Sequence, residues 1–395
     1  MLSTMKNNRS LSFYQFSDER FQPDLTSAYT GGLASVAIAN TFFVTVTTTT
    51  GFNAQYSETA TRLQTLRTSD ASRLDLTTSN QNARNTGVKR AWQYEQADIE
   101  MGGNGSVRWS KQDQAEILEH GKVRQKTMPD GKKDGPQGHH QKNVATHPEQ
   151  QANPDNVKIY KTQEEHRQKG HGGDFHNESD GPMIDKDKML RRTNAKRVIK
   201  NEVGGLGIAV AIGLGVGVAI GFAVTLARSG VSPESLKLAA IEGAKGGVEA
   251  GALAAVGYGI GRTIGEVASK AVEGVLTSLG VEITKNISKM VSMGVVGTLT
   301  IAVFSAYQFI KLKQQGIGTR EALLKTGKQA MFSLSLLAVS IAAQGIWGGP
   351  AGMIVSVSIG IIMVSYTVID SVQQRQFAEK IRVYTIDKCQ PKFSY

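Results

Sequence analysis

The sequence predicts an α+β chain in two parts. A small mixed α/β unit lies in the polar half, and a Gly/Ala-rich, mainly α-helical hydrophobic region of transmembrane character follows it. Three observations carry this reading. The long charge-free apolar runs of the 395-residue chain lie beyond residue 200: 25 residues at 203–227, 21 at 290–310 and 41 at 329–369. Six of the seven histidines fall within 139–176. Between those regions, residues 185–200 carry seven basic and two acidic side chains.

Composition narrows the classes. Lys and Arg outnumber Asp and Glu by 45 to 34, a net charge of +11, which favours an anionic partner such as nucleic acid or a lipid surface. A single cysteine, Cys389, excludes an internal disulfide framework and a Cys-based zinc site. The 43 glycines show no three-residue period, so a collagen-like chain is excluded. The N-terminus lacks the pattern of a secretory signal peptide.

Residues 1–90 read as a polar N-terminal region, partly strand and partly disordered. Residues 1–25 form a loose arm in this reading. Thr41–Thr47 is rich in β-branched and aromatic residues, which predicts a strand. Residues 58–90 read as linker or exposed helix.

Residues 91–180 have a different texture. Trp92 and Tyr94 are aromatic anchors, and Gly102–Ser106 is a turn cluster. A short helix follows, with Ser110 as N-cap, Ile117 and Leu118 as apolar contacts and Gly121 as its stop. Asn153–Asn156 reads as a turn and Val157–Tyr160 as a short strand. Thr162 and Glu165 form a capping box that places His166 in the first turns of a helix, ended by Gly170 before His171. Glu164, Glu165 and Lys158 read as solvated faces, and His120 and His147 as surface histidines. So small a unit needs a metal or a partner surface for stability.

The series Gly138-His139-His140, His147-Pro148-Glu149, Asn153-Pro154-Asp155-Asn156-Val157, Glu165-His166 and His171-Gly172-Gly173-Asp174-Phe175 resembles the HNH endonuclease family in its Gly-His-His form. Trp92–Gly121 is similar to the family's preceding segment. The resemblance implies a ββα-metal nuclease fold and hydrolysis of phosphodiester bonds. It implies that His139, His166 and His171 ligate a divalent metal ion, with Mg, Mn, Ni and Zn all open. It implies His140 as the base that deprotonates water and Asn156 as the residue that orients His140 by hydrogen bonding. Neutral imidazoles suit divalent metals, and an imidazole near pKa 6.5 suits a general base. The spacing departs from the family's usual His-x3-His, because four residues separate His166 from His171. On an unbroken α-helix they would point about 140° apart. Gly170 is therefore expected to break the helix and return His171; otherwise Asp174 or His176 would stand in.

Residues 181–202 read as a basic linker and 203–395 as a membrane-associated helical domain. A bilayer core needs about 20 apolar residues per helix, which gives spans at 203–227, 290–310, 329–346 and 351–369. Gly213, Gly217 and Gly221 make overlapping GxxxG pairs, a face for close helix packing and for a homo-oligomer. Residues 238–280 mix small residues with spaced charges and read as an amphipathic or re-entrant hairpin. Basic groups at Lys186–Lys200, Lys311–Lys328 and Arg375–Lys392 place both termini and the histidine-bearing unit in the cytoplasm.

The reading is a membrane-tethered, metal-dependent DNA endonuclease of the toxin or defence type, with DNA and the lipid membrane as partners. Its alternative is a non-enzymatic membrane pore or scaffold with a structural metal-binding domain.

Overall fold

The computed structural model describes residues 25–129, 131, 133–174, 180–347, 358, 369, 372–373 and 376–384. The expected N-terminal arm, Cys389, His176 and nearly all of the expected span 351–369 lie outside the described residues. The chain divides into two compact units: Thr47–Glu202, and Met1–Val46 with Val203–Tyr395.

The unit Thr47–Glu202 opens with the later part of helix α1 (Leu25–Arg73) and closes with the start of α5 (Lys186–Ser229). Between them come α2 (Gln81–Glu100), α3 (Lys111–His120), β1 (Lys126–Thr127), β2 (Lys133–Asp134), β3 (Gln137–His140), β4 (Val157–Tyr160), the short α4 (Gln163–Glu165) and a π turn at His166–Gly170. The local chemistry sets these limits. Asn80 caps α2 by accepting from Ala83 N at 2.8 Å. Ser110 caps α3, and Gly121, at φ 75°, ends it in the left-handed conformation that suits glycine. Ile117 is fully buried, whereas Leu118 is 44% exposed, so only Ile117 is the core contact expected of the pair.

β3 and β4 pair antiparallel, with His139 opposite Lys158 and His140 opposite Val157. Val157 and Ile159 point into a core of Ala91, Trp92, Ile99, Trp109, Ile117 and Val123. The indoles of Trp92 and Trp109 stack at 5.5 Å. A second cluster joins Leu63 of α1 and Leu190 of α5 to Tyr94, Ala97 and Met101. The unit is therefore wider than the expected 91–180. Helix α2 begins eleven residues before Trp92, the first of its aromatic anchors, because Ala83, Gly87 and Ala91 form a buried small-residue face between polar, exposed neighbours.

In the other unit, the expected strand at Thr41–Thr47 is helical, within α1. Ala34, Ile38 and Phe42 recur at four-residue spacing and enter one core with Ala209, Ala254, Tyr258, Met293 and Val296. The threonine hydroxyls turn back to the helix's own carbonyls, Thr41 to Ala37 O and Thr45 to Thr41 O, each at 2.9 Å. Burial at a helical period overrides β propensity here. Helix α6 (Pro233–Ile260), a π turn (Gly261–Gly265) and α7 (Glu266–Ser278) run on without a break, so the expected hairpin at 238–280 is one helical run. α8 (Lys285–Gln314) and α9 (Thr319–Trp347) follow. The GxxxG face is filled from within the chain. A Cβ at Gly213 would meet Ala250 O, one at Gly217 would meet Gly246 O, and one at Gly221 would meet Glu242 O and Gly243 Cα. An oligomer would have to use another face.

Among the described residues, three helices are long and apolar enough to cross a membrane: α1 from Thr30, α5 and α8. The expected spans 203–227 and 290–310 lie in α5 and α8, and 329–346 lies in α9, which is helical but not among those three. That α1 meets this measure of length and composition was not expected from the reading of residues 1–90.

Candidate metal centre

The site is built on one face of the β3–β4 ribbon. Side chains alternate along a strand, and cross-strand partners share a face. Gln137 and His139 of β3 therefore stand beside Tyr160 and Lys158 of β4, their partners in register. Gly138, His140, Val157 and Ile159 take the other face. Gly138 is small for a visible reason: a Cβ there would come 2.9 Å from Val88 Cγ2 on α2 and 3.1 Å from Val157 Cγ1.

The π turn lays His166 and His171 over the ribbon. Thr162 caps the preceding turn, its hydroxyl accepting from Glu165 N at 3.0 Å. The amide of His171 then donates to His166 O at 3.3 Å, a bond five residues long. That wider turn brings two residues five apart onto one side, where an α-helix would separate them. Gly170 does end the helix, but His171 arrives through the π turn rather than by a swing beyond a break. Gly170 also faces the site: a Cβ there would lie 2.9 Å from His166 Cδ2 and 3.2 Å from both His139 Nδ1 and Tyr160 Cε2.

His139, His166 and His171 each offer a nitrogen, all within 4.8 Å of one another. His139 Nδ1 and His166 Nε2 are 3.2 Å apart. Two nitrogens bound to one tetrahedral ion at about 2.1 Å would lie about 3.4 Å apart. The ring of Tyr160 stacks under His166 at 5.7 Å and 28°. His166 Nδ1 lies 2.7 Å from Gln137 Oε1. The amide oxygen can only accept, so it holds the proton on Nδ1 and leaves Nε2 bare for a ligand bond. Burial, then the charges of His171 and His166, pull the pKa of His139 down to about 4. Burial also lowers His166, with His171 adding to it. Three crowded imidazoles fit a divalent cation of the zinc or first-row transition type.

His140 stands at the end of β3 and is part-buried. Its Nε2 donates to the carbonyl of Gln151 at 2.9 Å. The carbonyl has no proton to give, so the neutral ring keeps its lone pair on Nδ1. Burial lowers its pKa, opposed by the Gln151 bond and assisted by Arg84. Asn156 does not orient His140 by a direct bond. It is fully buried, accepts from Lys142 N at 2.6 Å, and donates to Lys142 O and Gln150 O, each at 3.2 Å. Asn156 thus holds the turn that presents the Gln151 carbonyl. The side chain of Gln151 is tied to the start of α2, accepting from Asn80 N and donating to Thr78 O, each at 2.8 Å.

Sequence reasoning missed Gln137 and Gln151, because neither belongs to a ligand type or to the Gly-His-His series. Period-two alternation from His139 and Tyr160 would have placed Gln137 on the ligand face. His147 lies apart from the triad, 3.0 Å from Asp180 Oδ2. His120 neighbours Glu119 at 3.5 Å. Asp174 is exposed and outside the triad.

Residues 78–161 match the model of GHH signature containing HNH/Endo VII superfamily nuclease toxins. The resemblance read from the histidine series is borne out over that segment, which carries β3, the Asn156 turn and β4 and stops short of His166 and His171. No curated protein and no solved structure matches the chain.

Proposed function

We propose that the chain is a membrane-tethered, metal-dependent DNA endonuclease of the toxin type. The observation that carries this is the convergence of His139, His166 and His171 within 4.8 Å beside a histidine with a fixed tautomer. The three imidazoles are the metal-holding residues in this reading. A divalent ion held there supplies charge to polarise the phosphoryl group and to stabilise the leaving oxygen. His140 takes the proton of the attacking water on Nδ1, and the Gln151 carbonyl, hydrogen-bonded to Nε2–H, steadies the charged ring that results. Water adds to phosphorus as the P–O bond to the leaving oxygen breaks, and that oxygen takes up a proton. Gln137 keeps His166 in the ligating tautomer, and Asn156 keeps the Gln151 carbonyl in place.

Apolar segments flank the nuclease segment on both sides in sequence, one within α1 and one within α5. This supports a domain tethered at both ends to the same side of a bilayer. The seven basic residues at 185–200 favour the cytoplasmic side. The tether restricts the enzyme to DNA near the membrane.

Full-length protein in detergent is expected to nick supercoiled plasmid with one or more of Mg²⁺, Mn²⁺, Ni²⁺ and Zn²⁺, and to stop with EDTA or with His140→Ala. Nicking retained by His140→Ala would refute the assigned base. Leakage from liposomes without any nicking would favour the pore alternative.

A further inference from the structure

Hydrolysis of a phosphodiester also requires the anionic backbone to be gripped while the water attacks. Charge near the site comes from two cations outside the histidine set. Lys158 lies directly opposite His139 in the ribbon register, so it rises from the same face as the triad. Its Nζ sits 4.9 Å from the centre of the Tyr160 ring, the ring on which His166 stacks. Lys158 is half-buried. Arg84 stands on the His140 side. It lies on α2 one turn before Gly87, where the helix backs onto the Gln151 carbonyl so closely that a Cβ would collide with it. That carbonyl is the one that holds His140.

Neighbouring cations are already engaged. Lys142 pairs with Asp180, Arg167 with Glu164 and Lys169 with Glu165, and Lys161 donates to Arg108 O. Among the described residues, Lys158 and Arg84 have no carboxylate partner in an ion pair. Lys158 is half-buried and Arg84 is exposed, so both can meet an anionic ligand that approaches from solvent.

We propose that Lys158 and Arg84 are the phosphate-contacting residues of this site, Lys158 on the side of the His139–His166–His171 triad and Arg84 on the side of His140. The substrate class is a nucleic-acid backbone, and the assignment rests on the nuclease reading above. The ammonium of Lys158 meets a non-bridging oxygen at the reacting phosphate, and the fork of Arg84 meets a phosphate beside it.

The test uses the full chain in detergent and a fluorescein-labelled DNA duplex, read by anisotropy in EDTA so that binding is scored without turnover. Each of Lys158→Gln and Arg84→Gln is expected to weaken binding about tenfold and to reduce the slope of log K against log salt by about one. Lys158→Arg should keep the wild-type slope. Nicking by Lys158→Gln should fall with its Zn²⁺ affinity by calorimetry unchanged, which separates loss of phosphate contact from damage to the triad. Unchanged slopes and nicking in both Gln variants, with His140→Ala inactive, would overturn this assignment and leave the nuclease reading standing. A wild-type chain that neither binds nor nicks DNA would overturn both. A slope lost equally in Lys158→Arg and Lys158→Gln would also overturn the assignment, because charge would not be what matters.

Discussion

The Nε2 atom of His140 lies 2.9 Å from the carbonyl oxygen of Gln151. Asn156, expected from the sequence to orient that imidazole itself, acts one step further back by tying Lys142 and Gln150 together. Asn156→Ala leaves buried backbone groups short of partners, at a cost of about 1–3 kcal/mol in stability. Displacement of the Gln151 carbonyl by even about 1 Å should lower nicking by roughly a hundredfold. Zn²⁺ affinity should stay near wild type, since Asn156 bonds to none of the three histidines of the proposed triad. Urea unfolding, calorimetry and plasmid nicking measure the three quantities separately. A large fall in Zn²⁺ affinity would show that Asn156 supports the triad instead.

Gly170→Ala places a methyl against three rings at once, with His166 Cδ2 only 2.9 Å away and His139 Nδ1 and Tyr160 Cε2 each at 3.2 Å. His166 must move, and with it the pair of nitrogens now 3.2 Å apart. Metal affinity should fall at least about tenfold, in the range seen when ligand orientation is disturbed. Gly51→Ala is the control, because a Cβ there meets nothing within 4 Å. Calorimetric titration with Zn²⁺ decides the matter, and equal affinity in the two variants would remove Gly170 from the site.

Gln137 accepts from His166 Nδ1–H at 2.7 Å and thereby fixes which nitrogen faces His139. Gln137→Ala frees the His166 ring and should cost about 10- to 100-fold in metal affinity. Gln137→Glu keeps an acceptor and should retain most of it. If both variants bind as wild type does, packing on Tyr160 alone is sufficient to hold the ring.

Much of this centre was legible because its ligands are rare residue types in a fixed order. His139, His140, His166 and His171 were named from the chain, and β4, the Ser110 cap and the Thr162 cap lie where turn and capping chemistry put them. What was illegible has physical causes. The π turn follows from one residue of extra spacing, and spacing alone does not say whether a helix breaks or widens. The role of the Gln151 carbonyl is a backbone property with no side-chain signature. Helix α1 misled because Thr41, Thr45 and Val44 favour strands in isolation, while burial of Ile38 and Phe42 at helical spacing decided the outcome.

Acid should destabilise the metal-free chain. The unfolded state binds a proton at each histidine near pH 6.5, whereas burial keeps His139 neutral down to about 4, and His140 and His166 are shifted the same way. Between those values the unfolded chain binds more protons, so stability rises with pH across that window. Above pH 6.5 these histidines add no slope. Urea midpoints taken in EDTA from pH 4 to 8 should climb to about pH 6.5 and then level off on this account. His139→Gln should flatten the lower part of the curve, and an unchanged profile would show that His139 is not held neutral by the fold.

The family-matched segment ends at residue 161 and holds one of the three histidines that could ligate a metal. It also lacks the clasp from α1, where Arg67 meets Asp155 through two hydrogen bonds of 2.9 Å. The backbone amides of Lys186 and Ile184 reach the same residue, at 3.0 Å to Asp155 Oδ1 and 2.7 Å to Asp155 O. Asp155 adjoins Asn156, so the turn that presents Gln151 is braced from beyond both ends of the matched segment. A fragment of residues 78–161 should therefore neither bind Zn²⁺ tightly nor unfold cooperatively. A fragment of residues 47–202, which keeps Leu63, Arg67, the triad and Leu190 together, should do both. Arg67→Ala in the longer fragment leaves a part-buried carboxylate short of its cation and should cost about 2 kcal/mol, below the roughly 3–5 kcal/mol of a fully buried pair. Circular dichroism melts and Zn²⁺ titration of the two fragments provide the comparison. Tight binding by residues 78–161 alone would mean that the ion is held by a different set of ligands.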